Sequence, residues 1–246
     1  MRNIKLTLAY DGTDFNGWQT QPGYRTVQET LETSIAKLTG QPARVNASGR
    51  TDTGVHAVGQ VLNFYSDTNL PAEVLVRALN AHLPADIVVS EAADMPQAFD
   101  ANRDARRKLY RYVIHDGAVP NVFLRRYCCQ SRHPLDADAM RAAAEPLRGR
   151  HDFHSFETDW PNRMSSVRTI THLALNRMGE WIWLDVEADG FLYNMVRAIA
   201  GTLINVGRGY WPADNVLEIL QAEDRRAAGP TAPAQGLFLM RVSYEQ

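Results

Sequence analysis

Cysteine is scarce in this sequence, and the only two, Cys128 and Cys129, are adjacent. Adjacent cysteines rarely bridge each other, and no second pair is present to build a zinc site or a disulfide framework. The N-terminal segment, MRNIKLTLAY, lacks the apolar core of a signal peptide. We therefore expect a cytoplasmic protein with both thiols packed as small apolar groups.

Long apolar runs and net positive charge are lacking as well. The one run that approaches membrane-spanning length, residues 190–207, contains Asn194, Arg197 and Asn205, which predicts a buried helix of a globular core rather than a lipid-facing helix. The formal net charge is −2, so the surface as a whole does not favour nucleic acid, although local basic patches remain compatible with RNA binding.

The hydrophobic pattern of the first half predicts the order strand, helix, strand, strand, helix, strand. Thr26, followed three residues later by Glu29, predicts the N-cap of the first helix, and Gly40 its end. The second helix starts at Pro71, and the strands cover residues 4–10, 44–48, 58–66 and 86–94. This is the order of the split β-α-β, or ferredoxin-like, arrangement.

The second half shows a broadly similar pattern. The predicted helices cover residues 137–147, 190–207 and 213–221, and the predicted strands cover 108–115, 167–176, 181–188 and 237–244. We therefore predict an α+β fold of two ferredoxin-like halves with antiparallel sheets. The first half is 1–105 and the second is 106–246.

Arg197 is the first candidate functional residue, because it is the only charged side chain between Asp189 and Arg208. Apolar or small side chains cover most of that helix, so the pattern predicts a guanidinium buried on most sides. A buried guanidinium is costly without a carboxylate partner. Two partners remain open: an acid of the preceding strand (Asp185, Glu187 or Asp189), or the loop acid Asp52.

Asp52 lies in the segment NASGRTDTGVHAVGQ, residues 46–60, with Arg50 two positions before it. Asp and Gly are common in tight turns, so this segment also has a purely structural interpretation as a turn between two strands. In the functional interpretation, Arg197 keeps the Asp52 carboxylate ionised and fixes its direction.

Residues 100–132 form a local basic segment, with eight basic residues against three acids. Strand alternation places Lys108, Tyr110 and Tyr112 on one face, and basic and aromatic side chains together are typical of surfaces that contact phosphates and stack bases. The alternative is a solvated strand face. The basic residues are Arg103, Arg106, Arg107, Lys108, Arg111, Arg125, Arg126 and Arg132.

The whole chain resembles the tRNA pseudouridine synthase A family. GRTDTGVHA is similar to the catalytic motif of that family, and the other similar segments follow in the family's order from residue 9 to 239. They are AYDGTDFNGWQTQ, RKLYRY, HDFHSF, SSVRTI, GFLYNMVRAIAGTLINVGRG and TAPAQGLFL.

The resemblance implies an isomerase that converts uridine to pseudouridine at positions 38, 39 and 40 of the tRNA anticodon arm. It also implies a homodimer without a cofactor or metal, and an active-site cleft between the two halves. Asp52 would be the nucleophile, Arg197 its partner and Tyr110 the aromatic that stacks on the target base. Arg50 would fill the space left by the flipped nucleotide.

Two other classes of function compete with this one. A non-catalytic RNA-binding protein would use the same basic and aromatic strand, including Arg106, Arg107 and Lys108, but has no use for a carboxylate beside phosphates. A metal-dependent hydrolase would rest on His151 and His154, whose spacing could bind a metal although no third ligand is suggested nearby.

Overall fold

The computed structural model describes residues 1–158 and 165–244, which form two compact units. The first unit is Met1–Arg106 together with Phe238–Gln246, and the second is Arg107–Leu237. The sequence-based division assigns the whole C-terminal strand to the second half. In the structure, Phe238 and Leu239 of this strand pair with His56 and Ala57 of the first unit.

The first unit contains a four-stranded split β-α-β arrangement and one additional strand. Its elements are β1 (Arg2–Tyr10), α1 (Val27–Thr39), β2 (Asn46–Ala47), β3 (His56–Ser66), α2 (Ala72–His82), β4 (Ile87–Met95) and, from the end of the chain, β10 (Leu237–Ser243). The order of elements confirms the prediction for this half. The predicted strand 44–48 is shorter in the structure and covers two residues.

Local sequence explains the bounds of α1. The Thr26 hydroxyl accepts a hydrogen bond from the Glu29 backbone N–H at 3.4 Å, which confirms the predicted N-cap. Gly40 ends the helix with a φ of +74°, a left-handed conformation that glycine adopts without strain. Leu31 and Ile35 are completely buried and form the apolar stripe of the helix.

The sheet of the first unit has the strand order β4-β1-β3, with both neighbouring pairs antiparallel. On the other edge of β3, β2 pairs in antiparallel fashion at Asn46↔Asn63 and Ala47↔Leu62. The same edge pairs in parallel with β10 at Phe238↔His56 and Leu239↔Ala57. The β1–β3 register shifts between Leu8 and Tyr10, a β-bulge close to the point where the 48–55 loop joins β3.

The second unit also combines a mainly antiparallel sheet with helices. Its elements are β5 (Arg107–His115), β6 (Cys129–Gln130), α3 (Ala137–Ala144), β7 (Gly149–Asp152), β8 (Val167–Met178), β9 (Trp181–Ala188), α4 (Met195–Gly207) and α5 (Asn215–Ala222). The strand order is β5-β9-β8-β7, and β6 pairs in parallel with β5. Both units are mixtures of helix and strand, which confirms the predicted α+β class.

Helix α4 is the apolar helix of the second unit, and nearly all of its residues are buried. It begins at Met195, later than the predicted 190–207, because Asn194 has a left-handed φ of +62° and interrupts the helical backbone. In the described parts of the chain, no helix combines the length and apolar character needed to cross a membrane. Cys128 and Cys129 are buried free thiols, which confirms their predicted packing.

Candidate active site

Asp52 lies on the loop between β2 and β3, at the start of a tight turn. The Val55 backbone N–H donates to the Asp52 carbonyl at 3.1 Å, and Gly54 has a φ of +78° at the third position of the turn. Asp52 is half-buried, whereas Arg50 and Thr53 on either side are exposed. The turn expected from the sequence is therefore present, and it leaves the acid partly accessible.

The segment that follows β1, which contains Gly12, Gly17 and Trp18, supports this loop. The Trp18 backbone N–H donates to the Thr51 carbonyl at 2.9 Å. A Cβ atom on Gly17 would lie 2.9 Å from that same oxygen, and one on Gly12 would lie 2.0 Å from the Val55 carbonyl oxygen. Glycine is therefore required at both positions for the two backbones to approach this closely.

This supporting segment, AYDGTDFNGWQTQ, carries part of the family resemblance, but the sequence alone gives it no physical role. The signal that could have found this role is a pair of glycines, Gly12 and Gly17, in a loop that otherwise carries aromatic and charged residues. Without coordinates, nothing in the sequence says which backbone such glycines face.

Buried hydrogen bonds also connect the loop to β1 and β3. The Tyr10 hydroxyl lies 2.8 Å from Thr51 Oγ1, and the Ser48 hydroxyl donates to Gln60 Oε1 at 2.7 Å. Burial raises the pKa of Tyr10 to about 12, and its hydrogen bonds to Thr51 and Gln60 lower it in part. The phenol therefore stays protonated at neutral pH.

His56, the first residue of β3, fixes the opposite end of the loop. Its imidazole is buried and stacks on Phe238 of β10, with ring centroids 4.7 Å apart and an interplanar angle of 22°. The Gly12 backbone N–H donates to His56 Nδ1 at 3.0 Å. His56 thus connects β3, β10 and the supporting segment.

Tyr110 lies in the middle of β5, in the second unit. Its side chain is buried and makes an edge contact with Phe191, with ring centroids 4.9 Å apart and an interplanar angle of 82°. Lys108 and Tyr112 share its strand face by alternation. Burial lowers the pKa of Lys108, whereas Tyr112 is completely buried and its hydroxyl donates to the Pro233 carbonyl at 2.8 Å.

Arg197 lies in the first turn of α4, and two neutral acceptors orient its guanidinium. Arg197 Nε donates to the Ala232 carbonyl at 2.7 Å, and Nη1 donates to Asn194 Oδ1 at 2.8 Å. Asn194 in turn donates from Nδ2 to Thr158 Oγ1 at 3.0 Å. Asn194, a positioning group for Arg197, is not assigned this role by sequence analysis.

Most of the Arg197 surface is covered and part of it is accessible, in line with the predicted burial on most sides. The helix begins only two residues earlier, so Arg197 lies in its first turn and not in the more deeply buried turns that follow. Asp52 and Arg197 belong to different units, and their pairing stays a prediction.

Two arginines of the basic segment form local ion pairs, and two others are exposed at the start of β5. Arg103 pairs with Asp104 at 2.9 Å, and Arg111 pairs with Asp185 at 2.7 Å. Arg106 and Arg107 are exposed at the start of β5. These two side chains therefore retain the accessibility that a phosphate contact requires.

The histidine pair does not assemble into a recognisable metal cluster. His151 Nε2 lies 2.7 Å from the Arg148 carbonyl oxygen, and its ring makes an edge contact with Phe153. Over residues 1–158 and 165–244, no group of three or more His, Cys, Asp or Glu side chains is arranged to hold a metal ion.

Similarity to solved structures is weak. A chain of the Cbf5-Nop10-Gar1 complex matches with a TM-score of 0.39 and 10% identity; the match covers 96% of this chain and 57% of that chain. The chain thus spans a little over half the length of that solved protein.

Comparison at the sequence level gives far stronger matches. Proteins named tRNA pseudouridine synthase A are 48% identical in Halalkalibacterium halodurans (97% of this chain, 91% of the relative) and 46% identical in Exiguobacterium sp. (100% and 99%). The relative from Thermoanaerobacter sp. is 44% identical over 99% of this chain and its own full length. A tRNA pseudouridine synthase family profile matches residues 7–102 and 143–245, so this chain belongs to the tRNA pseudouridine synthase family.

Proposed function

We propose that this protein is an isomerase that converts uridine to pseudouridine in tRNA. The observation that carries the proposal is its near full-length identity of 44–48% to proteins named tRNA pseudouridine synthase A. The supported loop around Asp52 agrees with it, because the loop presents a partly accessible carboxylate from a fixed backbone.

The reaction breaks the N1–C1′ glycosidic bond, turns the uracil and forms a C5–C1′ bond. The hydrogen on C5 is lost as a proton and N1 gains one, so atoms balance without an oxidant, a reductant or hydrolysis. We assign Asp52 as the nucleophile and Arg197 as the group that keeps its carboxylate ionised. No redox cofactor or metal is demanded by this stoichiometry.

The target base must leave the helical stack before it can reach a carboxylate. Tyr110 is the proposed stacking platform, and such a contact returns about 1–3 kcal/mol of the stacking that the base loses. The edge contact with Phe191 supports this role because it holds the Tyr110 ring in one orientation. Arg50, exposed two residues before Asp52, is proposed to occupy the space left by the flipped nucleotide.

The proposed target is the anticodon arm, at positions 38, 39 and 40, in the cytoplasm. Arg106, Arg107 and Lys108 are proposed to contact its phosphates. Support comes from the exposure of Arg106 and Arg107 at the start of the strand that carries Tyr110. Phosphate contacts at one end of this strand would leave its central aromatic for the base.

A homodimer is part of the proposal, and an exposed apolar loop supports it. This loop, Val119–Leu124, includes Phe123 with 86% of its surface exposed and Val119 with 78%. Val122 and Leu124 are also exposed. Contiguous exposed apolar groups of this kind commonly mark an interface, so we propose that a second copy of the chain covers this loop.

The test uses tRNA with tritium at C5 of its uridines. Wild-type protein should release tritium, whereas Asp52→Asn and Asp52→Ala should release none above the enzyme-free level. Asp67→Asn is the control, because Asp67 is an exposed acid of the same unit that pairs with the N-terminal amine. Tritium release by Asp52→Asn at the wild-type rate would exclude Asp52 from the chemistry. Binding of tRNA by the wild type without release would favour the non-catalytic RNA-binding protein.

A further inference from the structure

Four buried polar side chains form a hydrogen-bonded cluster beside the backbone that leads to Asp52. Ser48 and Thr51 come from the loop, Tyr10 from the end of β1 and Gln60 from β3, and none is more than 7% exposed. Buried polar groups are costly unless they are hydrogen-bonded, so a cluster of four is retained only as a connected network. This network is separate from every side chain assigned above to contact the tRNA.

The Gln60 amide is the centre of the network. Its Nε2 donates to the Gly49 carbonyl at 3.0 Å and to the Tyr10 hydroxyl at 3.4 Å, and its Oε1 accepts from the Ser48 hydroxyl at 2.7 Å. The Tyr10 hydroxyl, which accepts from Gln60, also shares a hydrogen bond with Thr51 Oγ1, 2.8 Å away. Three of the four residues before Asp52 are therefore held from β1 and β3.

Thr51 is fixed twice, and it is the residue next to Asp52. Its side chain meets Tyr10, and its carbonyl accepts the Trp18 backbone N–H at 2.9 Å. On the other side of Asp52, Thr53 is exposed and Gly54 follows in a left-handed conformation. Thr51 is therefore the neighbour through which the buried network reaches the Asp52 backbone.

We propose that Tyr10, together with Gln60, is a positioning residue that sets the direction of the Asp52 carboxylate through Thr51. The inference rests on the proposed function, because it requires Asp52 to react with the nucleoside. A misplacement of a reacting group by about 1 Å can reduce a rate by about 100-fold. Loss of the Tyr10 hydroxyl should therefore affect the chemical step and leave tRNA binding unchanged.

The experiment measures single-turnover tritium release over a range of protein concentrations. For Tyr10→Phe and for Thr51→Val, we expect the plateau rate to fall about tenfold or more, with the half-saturating concentration unchanged. Thr51→Ser keeps the hydroxyl and should recover most of the rate. Tyr65→Phe is the matched control, because the Tyr65 hydroxyl donates at 2.8 Å to the Gln97 carbonyl, near the far end of β3.

The double variant Tyr10→Phe/Thr51→Val separates positioning from general loosening. If both side chains act through one hydrogen bond, the double variant should be about as slow as either single variant. Multiplicative losses, an equal loss in Tyr65→Phe or an unchanged plateau in Tyr10→Phe would each overturn the inference. Inactivity of Asp52→Asn with a fully active Tyr10→Phe would reject only this inference, whereas an active Asp52→Asn would reject the proposed chemistry itself.

Discussion

The Asp185 carboxylate accepts two hydrogen bonds from the Arg111 guanidinium, from Nε at 2.7 Å and from Nη2 at 2.8 Å. The two residues face each other across the antiparallel pair of β5 and β9. This bidentate geometry occupies both oxygens of one acid that sequence analysis leaves open as a structural partner for Arg197. It therefore argues against Asp185 as the partner of Arg197 and leaves Glu187, Asp189 and Asp52 open.

Arg197→Met should separate the catalytic interpretation from the structural one. Removal of the charged partner of a partly buried carboxylate costs about 3 kcal/mol, so we expect tritium release to slow by about two orders of magnitude. Arg197→Lys keeps the charge without the planar fork and should be intermediate. Arg226→Met is the control, since it removes an exposed pair with Asp224 in the same unit. A lower free energy of unfolding with an unchanged rate would assign Arg197 a purely structural role.

The variants Tyr110→Phe and Tyr110→Ala test whether the Tyr110 ring stacks on the target base. If the ring stacks on the flipped base, Tyr110→Phe should keep most of the rate of tritium release. Tyr110→Ala should lose about 1–3 kcal/mol, or roughly 5- to 150-fold. Equal losses of rate in both variants would instead show that the contribution of Tyr110 comes from its hydroxyl and not from its ring.

Charge reversal of Arg106 and Arg107 tests the proposed phosphate contacts. Each lost contact should lower the slope of log affinity against log salt by about 0.7–0.9, so the double Glu variant should lower it by about 1.5 or more. Lys37 and Arg77 are exposed basic residues of α1 and α2, and their double Glu variant makes the same change in net charge. An equal effect in this control would indicate a general electrostatic field rather than local contacts.

Substitutions at Gly17 and Gly23 form a matched pair that tests how the segment after β1 supports the loop carrying Asp52. Both have a φ of +81°, but a Cβ on Gly17 would lie 2.9 Å from the Thr51 carbonyl oxygen, whereas a Cβ on Gly23 has nothing within 4 Å. Gly23→Ala should cost only the left-handed backbone strain, about 1–2 kcal/mol of unfolding free energy. Gly17→Ala should cost more, because the clash moves the loop, and it should also slow tritium release. Denaturant unfolding and the release assay measure the two effects; equal rates in both variants would contradict the proposed support.

Phe123→Ser tests the exposed loop as a dimer interface. Sedimentation should give twice the 27.6 kDa chain mass for the wild type and the single mass for the variant. Tyr210→Ser, which changes another exposed aromatic of the second unit, should stay dimeric. A dimeric Phe123→Ser variant with weakened tRNA affinity would assign the loop to RNA instead.

Periodic patterns predict most of the helices and strands because their signals are local. Alternation in β1 and the Thr26 cap of α1 are examples, since each depends on residues only a few positions apart. Strand β7 lies in a segment for which the sequence predicts neither helix nor strand, because its four residues carry no clear alternation. The contacts of Gly17 with Thr51 and of Tyr10 with Gln60 join distant segments, and no periodicity encodes such pairs. For the same reason, the sequence indicates Asp52 and Arg197 as separate candidates, whereas their pairing is inferred from the family resemblance.

The parallel pairing of β10 with β3 has a consequence for biosynthesis. Phe238 stacks on His56, and His56 holds the segment that supports the loop carrying Asp52. While the ribosome is still making residues 237–243, the first unit lacks this strand and the imidazole has no ring against it. A nascent chain would therefore complete this support of the Asp52 loop only after β10 has emerged from the ribosome.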